Sequence, residues 1–376
     1  MEVTERVRLA DYTTLRLGGP AGRFVAAHSD DELVATVAGA DADGEPVLVL
    51  GGGSNLVVAD EGFPGTVVQA PAGGIQAARV ADAVELTVGA GQDWDQLVQG
   101  CVAEGLSGIE CLSGIPGTTG ATPIQNVNAY GQEVAETISV VRVYDRLLDQ
   151  VVLMTSAECD FGYRTSTFKR HAGLGRGAQL NPAAATGRHV VLGVTFRLVV
   201  SPLSAPVRYA ELARRLGVAE GDRVPLAAAR EAVLQLRRGK GMVLDPADGD
   251  TRSAGSFFTN PVLSAAQFAS LAAKVAARSA AEAGDHVAVR IPHWDVGNGA
   301  VKVSAAWLIE QSGFGKGFPG PDAHVRISTK HTLALTNPGG GSTADLMALA
   351  RAVRDGVDRE FGVELVNEPV LVGTWL

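Results

Sequence analysis

The sequence has little of what disulfide, metal-binding and membrane proteins depend on. Its three cysteines, Cys101, Cys111 and Cys159, are scattered with no CxxC pair, so they predict neither a disulfide framework nor a zinc site. The seven histidines form no HxxxH or HxH pair, and none is assigned to a metal or to catalysis. No apolar run approaches the roughly 18 residues needed to span a bilayer. The opening MEVTERVRLADY is charged and has no apolar core, which reads against a signal peptide. Lys and Arg number 32 against 41 Asp and Glu, and the net charge of −9 argues against a broad nucleic-acid surface while leaving room for a local anion pocket. The expectation is a soluble protein of a reducing cytoplasm, with no membrane or nucleic-acid partner.

What is present describes a globular protein rich in glycine. A chain of 376 residues, 46% hydrophobic and 19% charged, is long enough for two or three domains with their own cores. Glycine, at 46 residues, is well above the usual share of about 7%. Many backbone positions therefore need positive φ or a close approach. PVLVL (46–50), VELTVGAG (84–91), ISVVRVYD (138–145) and VVLGVTFRLVV (190–200) are β-branched runs bounded by turn residues and predict strands. Asp93 ahead of Trp94, Leu97 and Cys101, with Gly105 ending the pattern, predicts one amphipathic helix among them. After residue 205 the balance moves to helix, with capping pairs Ser264/Gln267 and Ser342/Asp345, and the chain closes on a strand in PVLVG (369–373). The fold class is α+β, with a β-rich first half.

Two loops and one serine stand out. GGGSNL (51–56) fails the dinucleotide fingerprint because Leu56 occupies the last glycine position, and it lacks a P-loop lysine. Its consecutive amides before Ser54 and Asn55 suit a pyrophosphate, and they also read as a plain turn. IPGTTGATPIQNVNAYG (115–131) is long, polar and nearly uncharged, a good wall for a flat hydrogen-bonding cofactor or an Ω-loop without one. Ser256, in SAGSFFTNP (253–261), has no histidine or acidic neighbour to make it a nucleophile.

Taken together, TTLRLGGPA (13–21), LGGGSNL (50–56), IPGTTGATPIQNVNAYG, CDFGYRTSTFK (159–169), SAGSFFTNP, AAWLIEQSGFGKG (305–317) and VNEPVLVG (366–373) follow one order. In that order they resemble the UDP-N-acetylenolpyruvoylglucosamine reductases nearly end to end. The resemblance implies a two-subdomain FAD-binding domain of the vanillyl-alcohol oxidase type and a separate α+β substrate-binding domain. The implied divisions are 1–66 with the terminal segment 367–376, then 67–240, then 241–366. It implies FAD held by Gly51, Gly52, Gly53, Ser54, Asn55, Leu56, Pro116, Gly117, Thr119, Gly120, Ala121, Gln125, Asn126, Ala129, Tyr130 and Gly131. VRYAEL (207–212) matches the loop with a substrate-covering tyrosine, Tyr209, that marks one type within the family. Asn128 stands where the family pattern has glycine; Asn tolerates the left-handed backbone expected there, so Asn128→Gly tightens FAD if the loop is strained and leaves its affinity unchanged if Asn is accommodated.

The activity implied is NADPH-dependent reduction of UDP-N-acetylglucosamine enolpyruvate to UDP-N-acetylmuramate for peptidoglycan. NADPH first reduces FAD, and the UDP-sugar then accepts hydride at the β-carbon of its double bond. Charge moves to the α-carbon and carboxylate, and a neutral hydroxyl suffices to protonate it, so Ser256 becomes the general acid by position rather than by a shifted pKa. Arg164 matches the family's carboxylate-holding arginine, and Glu368 its C-terminal glutamate, although the usual preceding proline is here Asn367. Tyr209, Lys240, Asn260, Gln311 and Tyr163 match the substrate-binding positions. Two other readings fit parts of the chain: an oxidase on the same flavin fold, and a non-catalytic nucleotide-sugar binder.

Overall fold

In the computed structural model the described residues are 2–171, 186–282 and 290–376. The chain begins with a four-stranded sheet in the order Glu2–Glu5, Ala21–Ala26, Phe63–Gln69, Val47–Leu50. Ala21–Ala26, Phe63–Gln69 and Val47–Leu50 are mutually parallel, Glu2–Glu5 is antiparallel to its neighbour, and the helix Asp30–Asp43 makes the crossover. Ser29 starts that helix by accepting from the Glu32 amide, and Gly44 ends it in a left-handed turn. Leu33, Val37 and Ala40 face Val25, Val47 and Val68 in one buried cluster. The strand Phe63–Gln69 spans residue 66.

The second sheet is antiparallel, in the order Gln150–Thr155, Ile138–Asp145, His189–Val200, Ala83–Gly89, Ile75–Val80, and Leu106–Ser107 adds to His189–Val200. The alternation of His189–Val200 puts Val191, Val194, Phe196 and Leu198 in a core with Trp94, Leu97 and Cys101 of the helix Trp94–Ala103. Asp93 caps that helix through the Gln96 amide, as the sequence predicts. The helices Ala210–Leu216 and Leu226–Gly239 pack on one another beside it.

A third core lies under the helices Ala265–Glu282, Ala305–Gln311 and Thr343–Phe361 and the sheet Val262–Ser264, Ala300–Val303, His293–Asp295. Phe257 and Phe258 are fully buried in it. Both predicted capping pairs form: Gln267 and Asp345 side chains accept from the Ser264 and Ser342 amides. The chain then returns to its start, where Val370–Val372 pairs parallel with Leu56–Val58, just after the first glycine loop.

Candidate active site

The three cores meet at a cavity of ≈ 340 Å³, within the ~300–1,000 Å³ common for ligand sites. The backbone that frames it is assembled from distant segments. The amide of Glu368 donates to the carbonyl of Phe257 (2.8 Å) and that of Thr259 to Val366 (3.0 Å), so SAGSFFTNP and the terminal segment run as a pair. The amide of Val370 donates to Asn55 (2.9 Å), and that of Thr14 to Gly53 (3.2 Å), while the Thr14 hydroxyl donates to Ser253 (2.6 Å). Gly53 sits at φ 60, and a Cβ there would lie 1.9 Å from the Tyr12 carbonyl oxygen, so only glycine closes this loop. Ser256 and Glu368 are thus held by one paired backbone, and the first glycine loop is tied to the same support.

The first loop has the form of an anion nest. Among the described residues, the amides of Gly52, Gly53, Ser54 and Asn55 donate to no protein acceptor, and the stretch from Gly51 to Leu56 lines the cavity. Opposite it, Pro116, Gly120, Ala121 and Gln125 line the second loop's wall. The two loops touch: the Ser54 hydroxyl donates to the Pro116 carbonyl (2.8 Å). Gln125 is buried, and its Oε1 has no partner, which leaves an acceptor facing the cavity for a donor the chain itself does not supply. Nest, apolar walls and orphaned acceptor fit a flavin dinucleotide, whose diphosphate needs amide donors and whose ring edge carries an N–H.

Other predicted cofactor residues are support. Thr119 is fully buried, and both its amide and its hydroxyl donate to the Gln92 carbonyl. Gly117 packs behind the wall against Ser54. Asn126 spends its carboxamide on the protein, donating to Glu133 and Gly162 and accepting from the Ala135 amide. Ala129 pairs with Gln132, Gly131 lies against Arg208, and Tyr130 stacks edge-on with Tyr209 at 5.6 Å. None of these six residues lines the cavity. Asn128 also departs from expectation: the left-handed residues are Asn126 (φ 46) and Tyr130 (φ 48), whereas Asn128 is in a short strand facing Glu133.

Ser256, Arg164 and Glu368 line the same cavity. The Ser256 hydroxyl makes no hydrogen bond to protein among the described residues, and Gly255 reaches φ 75 to turn the chain just ahead of it. Arg164 caps a tight turn in which the Gly162 and Thr165 amides each donate to the other residue's carbonyl. It holds φ 52, a region a long side chain enters only when its surroundings force it. Its Nε lies 3.4 Å from Glu368 Oε1. Burial raises the Glu368 carboxyl above the usual glutamate range, opposed by Arg164 and Lys169. Lys169, whose pKa burial lowers, lines the cavity beside them and was present in the run CDFGYRTSTFK without a stated role.

The predicted substrate residues lie outside this cavity in two groups. Lys240 Nζ pairs with Glu211 (2.7 Å) and lies 5.6 Å from the centre of the Tyr130 ring, which meets Tyr209. Tyr209 is 43% exposed at the start of the helix Ala210–Leu216, as a covering residue must be. His331, Lys316 and Arg237 add positive or ionisable groups near Lys240, and burial lowers the His331 imidazole to about 4. In the second group the Tyr163 hydroxyl interacts with Asn260, whose Oδ1 accepts from the Ala305 amide, and Lys302 sits 4.5 Å over the Tyr163 ring. Gln311 ends the helix Ala305–Gln311, and its carbonyl accepts from Arg278 (2.6 Å). Among the described residues no hydrogen bond, ion pair or ring contact joins Gln311 to Tyr209 or Lys240. Glu211, Lys316 and Arg237 were missed in the sequence; Glu211 and Arg237 lie two and three residues from positions that were chosen.

The geometry agrees with what the chain is similar to. A family model described as FAD binding domain matches residues 21–149, and one described as UDP-N-acetylenolpyruvoylglucosamine reductase, C-terminal domain, matches 245–372. The UDP-N-acetylenolpyruvoylglucosamine reductase of Thermobifida fusca is 58% identical over 372 residues, covering 98% of both chains. That of Salinispora arenicola is 56% identical over 366 residues, covering 97% of this chain and 94% of its own. The crystal structure of UDP-N-acetylenolpyruvylglucosamine reductase from Thermus caldophilus superposes with a TM-score of 0.61 at 26% identity, with 99% of each chain covered. On identity and coverage together, the chain belongs to the UDP-N-acetylenolpyruvoylglucosamine reductase family.

Proposed function

We propose that this chain is an FAD-containing oxidoreductase that uses NADPH to reduce UDP-N-acetylglucosamine enolpyruvate to UDP-N-acetylmuramate, a step of peptidoglycan precursor synthesis. The observation that carries this reading is the convergence of Ser256, Arg164 and Glu368 on the cavity that also presents the Gly52–Asn55 amides. When bound, the flavin supplies two-electron chemistry, accepting hydride from the nicotinamide and delivering it to carbon. The chain's own part is orientation and charge. The Gly52–Asn55 nest would hold the diphosphate and Gln125 a ring donor. The Arg164 guanidinium holds the substrate carboxylate where negative charge accumulates. The Ser256 hydroxyl, free of protein partners, delivers a proton to the α-carbon. Lys240 meets the substrate diphosphate once it leaves Glu211, with Tyr209 closing over it.

We further propose that the chain acts as a monomer. Among the described residues no helix is long and apolar enough to cross a membrane. We place the reaction in the cytoplasm, where the reduced state of Cys101, Cys111 and Cys159 is also at home. The test is spectroscopic. The purified protein is expected to be yellow, to bleach under anaerobic NADPH, and to regain colour on adding the UDP-enolpyruvyl sugar. Fast reoxidation by air without response to the sugar, or a colourless protein that FAD does not stabilise, overturns the reading.

Two further results follow. Lys240→Met is expected to raise KM for the UDP-sugar about tenfold or more, the worth of one charge-assisted contact to phosphate, with the flavin spectrum unchanged. Steady-state kinetics against both substrates checks this, and an unchanged KM removes Lys240 from the diphosphate site. Glu368 governs the pH dependence. The folded protein holds its proton more tightly than the unfolded chain, so its contribution to stability is lost as pH rises through the folded pKa. Ionisation there also puts a carboxylate next to the developing anion and ties up Arg164. The sugar-dependent half-reaction is therefore expected to slow as pH rises through a value above the ordinary ~4.3 of glutamate, and Glu368→Gln is expected to flatten that limb. A limb that survives in Glu368→Gln belongs to another group.

A further inference from the structure

Asn128 lies in the second loop of the cavity, and its backbone does not need glycine. It lies in the two-residue strand Asn128–Ala129, paired with Gln132–Glu133, and is not among the left-handed residues of the loop. Its side chain lines the cavity together with Gln125, Arg164 and the Gly51–Ser54 stretch. Nδ2 of Asn128 is buried and donates to nothing, and three residues earlier Oε1 of Gln125 is buried and accepts from nothing. A buried donor and a buried acceptor left open in one wall are each destabilising unless a ligand meets them.

Resting on the reading of the site as a flavin site, we propose that Asn128 is an additional cofactor-binding residue. Its carboxamide donates to a carbonyl on the pyrimidine edge of the isoalloxazine. That edge alternates carbonyl, N–H and carbonyl, so a donor from Asn128 and an acceptor from Gln125 match neighbouring groups on it. The wall they share holds Arg164, and Ser256 and Glu368 line the same cavity, which is where the reacting ring must lie rather than the adenine. Two-electron reduction places negative charge on those carbonyls, and a donor aimed at them binds the reduced form more tightly than the oxidised form. Asn128 therefore raises the flavin's reduction potential, and a glycine at this position would offer no such donor.

The experiment compares the intact flavoprotein with Asn128→Gly and Asn128→Asp, the latter keeping the shape and removing the donor. FAD affinity, midpoint potential against a reference dye, and thermal unfolding are read for each. The result expected is full folding in both variants with FAD held up to about tenfold less tightly. The reduced form is weakened more than the oxidised by a further factor of about ten, a fall of about 30 mV for a two-electron couple. Asn128→Asp falls further because its charge opposes the added electrons. Equal potentials in wild type and Asn128→Gly overturn the proposal, as does weaker binding with no change in potential, which puts the contact on another part of FAD. Failure of the unaltered protein to bind FAD overturns the proposed function instead.

Discussion

Ser256→Ala is expected to leave the bleaching of the flavin by NADPH within about threefold of wild type while the rate of recolouring by the UDP-sugar falls about 10³-fold. That loss corresponds to about 4 kcal/mol of barrier and lies within the range found for removing a positioned acid. The asymmetry follows from the structure. Ser256 lines the cavity but bonds to no protein group among the described residues, so its removal breaks nothing that holds the flavin loops. The segment stays anchored by Phe257 and Phe258, both fully buried, and by the Phe257–Glu368 backbone bond. Nicotinamide oxidation needs no proton from protein, whereas the carbanion left after hydride addition does. Stopped-flow measurement of the two halves separately checks this, and an equal loss in both would make Ser256 a binding or folding residue.

How much of this was legible beforehand depended on whether a signal was local. Strands such as Ile138–Asp145 and the capped starts at Asp93, Ser264 and Ser342 are local matters of β-branching and hydrogen-bonding side chains, and they stand where the pattern puts them. Ser256, Arg164 and Glu368 were visible only through motif likeness. What brings Ser256 and Glu368 together is pairing between residues 257–259 and 366–368, more than a hundred positions apart, which no periodicity reports. The long polar loop shows the limit most clearly. Gln125 and Asn126 are adjacent amides of similar chemistry, yet Gln125 Oε1 is left open to the cavity and Asn126 knits Glu133, Ala135 and Gly162 together. A polar side chain's role depends on whether the protein itself satisfies it, and that is a tertiary fact. The same holds for Asn128, where its expected left-handed strain belongs to Asn126 and Tyr130. Burial sets Lys169 and Arg237 apart from solvated cations and lowers Arg237 to about 10, a tertiary fact that no motif carries.

Arg164→Gly is expected to reduce the sugar-dependent half-reaction by about 10²- to 10³-fold, the usual effect of deleting a preorganised charge at a developing anion, while leaving the melting temperature unchanged or slightly raised. Activity and stability separate here because the backbone and the side chain make opposite demands. At φ 52 a non-glycine residue carries about 1–2 kcal/mol of strain, which glycine relieves, offset in part by the extra freedom glycine has in the unfolded chain. The guanidinium meanwhile has its Nε buried without a hydrogen bond, and its nearest acid, Glu368, holds its proton above the ordinary range, so the group is held ready for an external carboxylate rather than used up internally. Arg164→Lys is expected to restore little, because a single ammonium lacks the planar fork that grips a carboxylate in two places. Removing Arg164 also withdraws one of the two charges that pull the Glu368 pKa down. The slowing with pH in the residual activity should therefore move to higher pH. A variant that loses stability and both half-reactions together would show that Arg164 serves the fold. One that keeps the pH limb in place would separate Glu368 from it electrostatically.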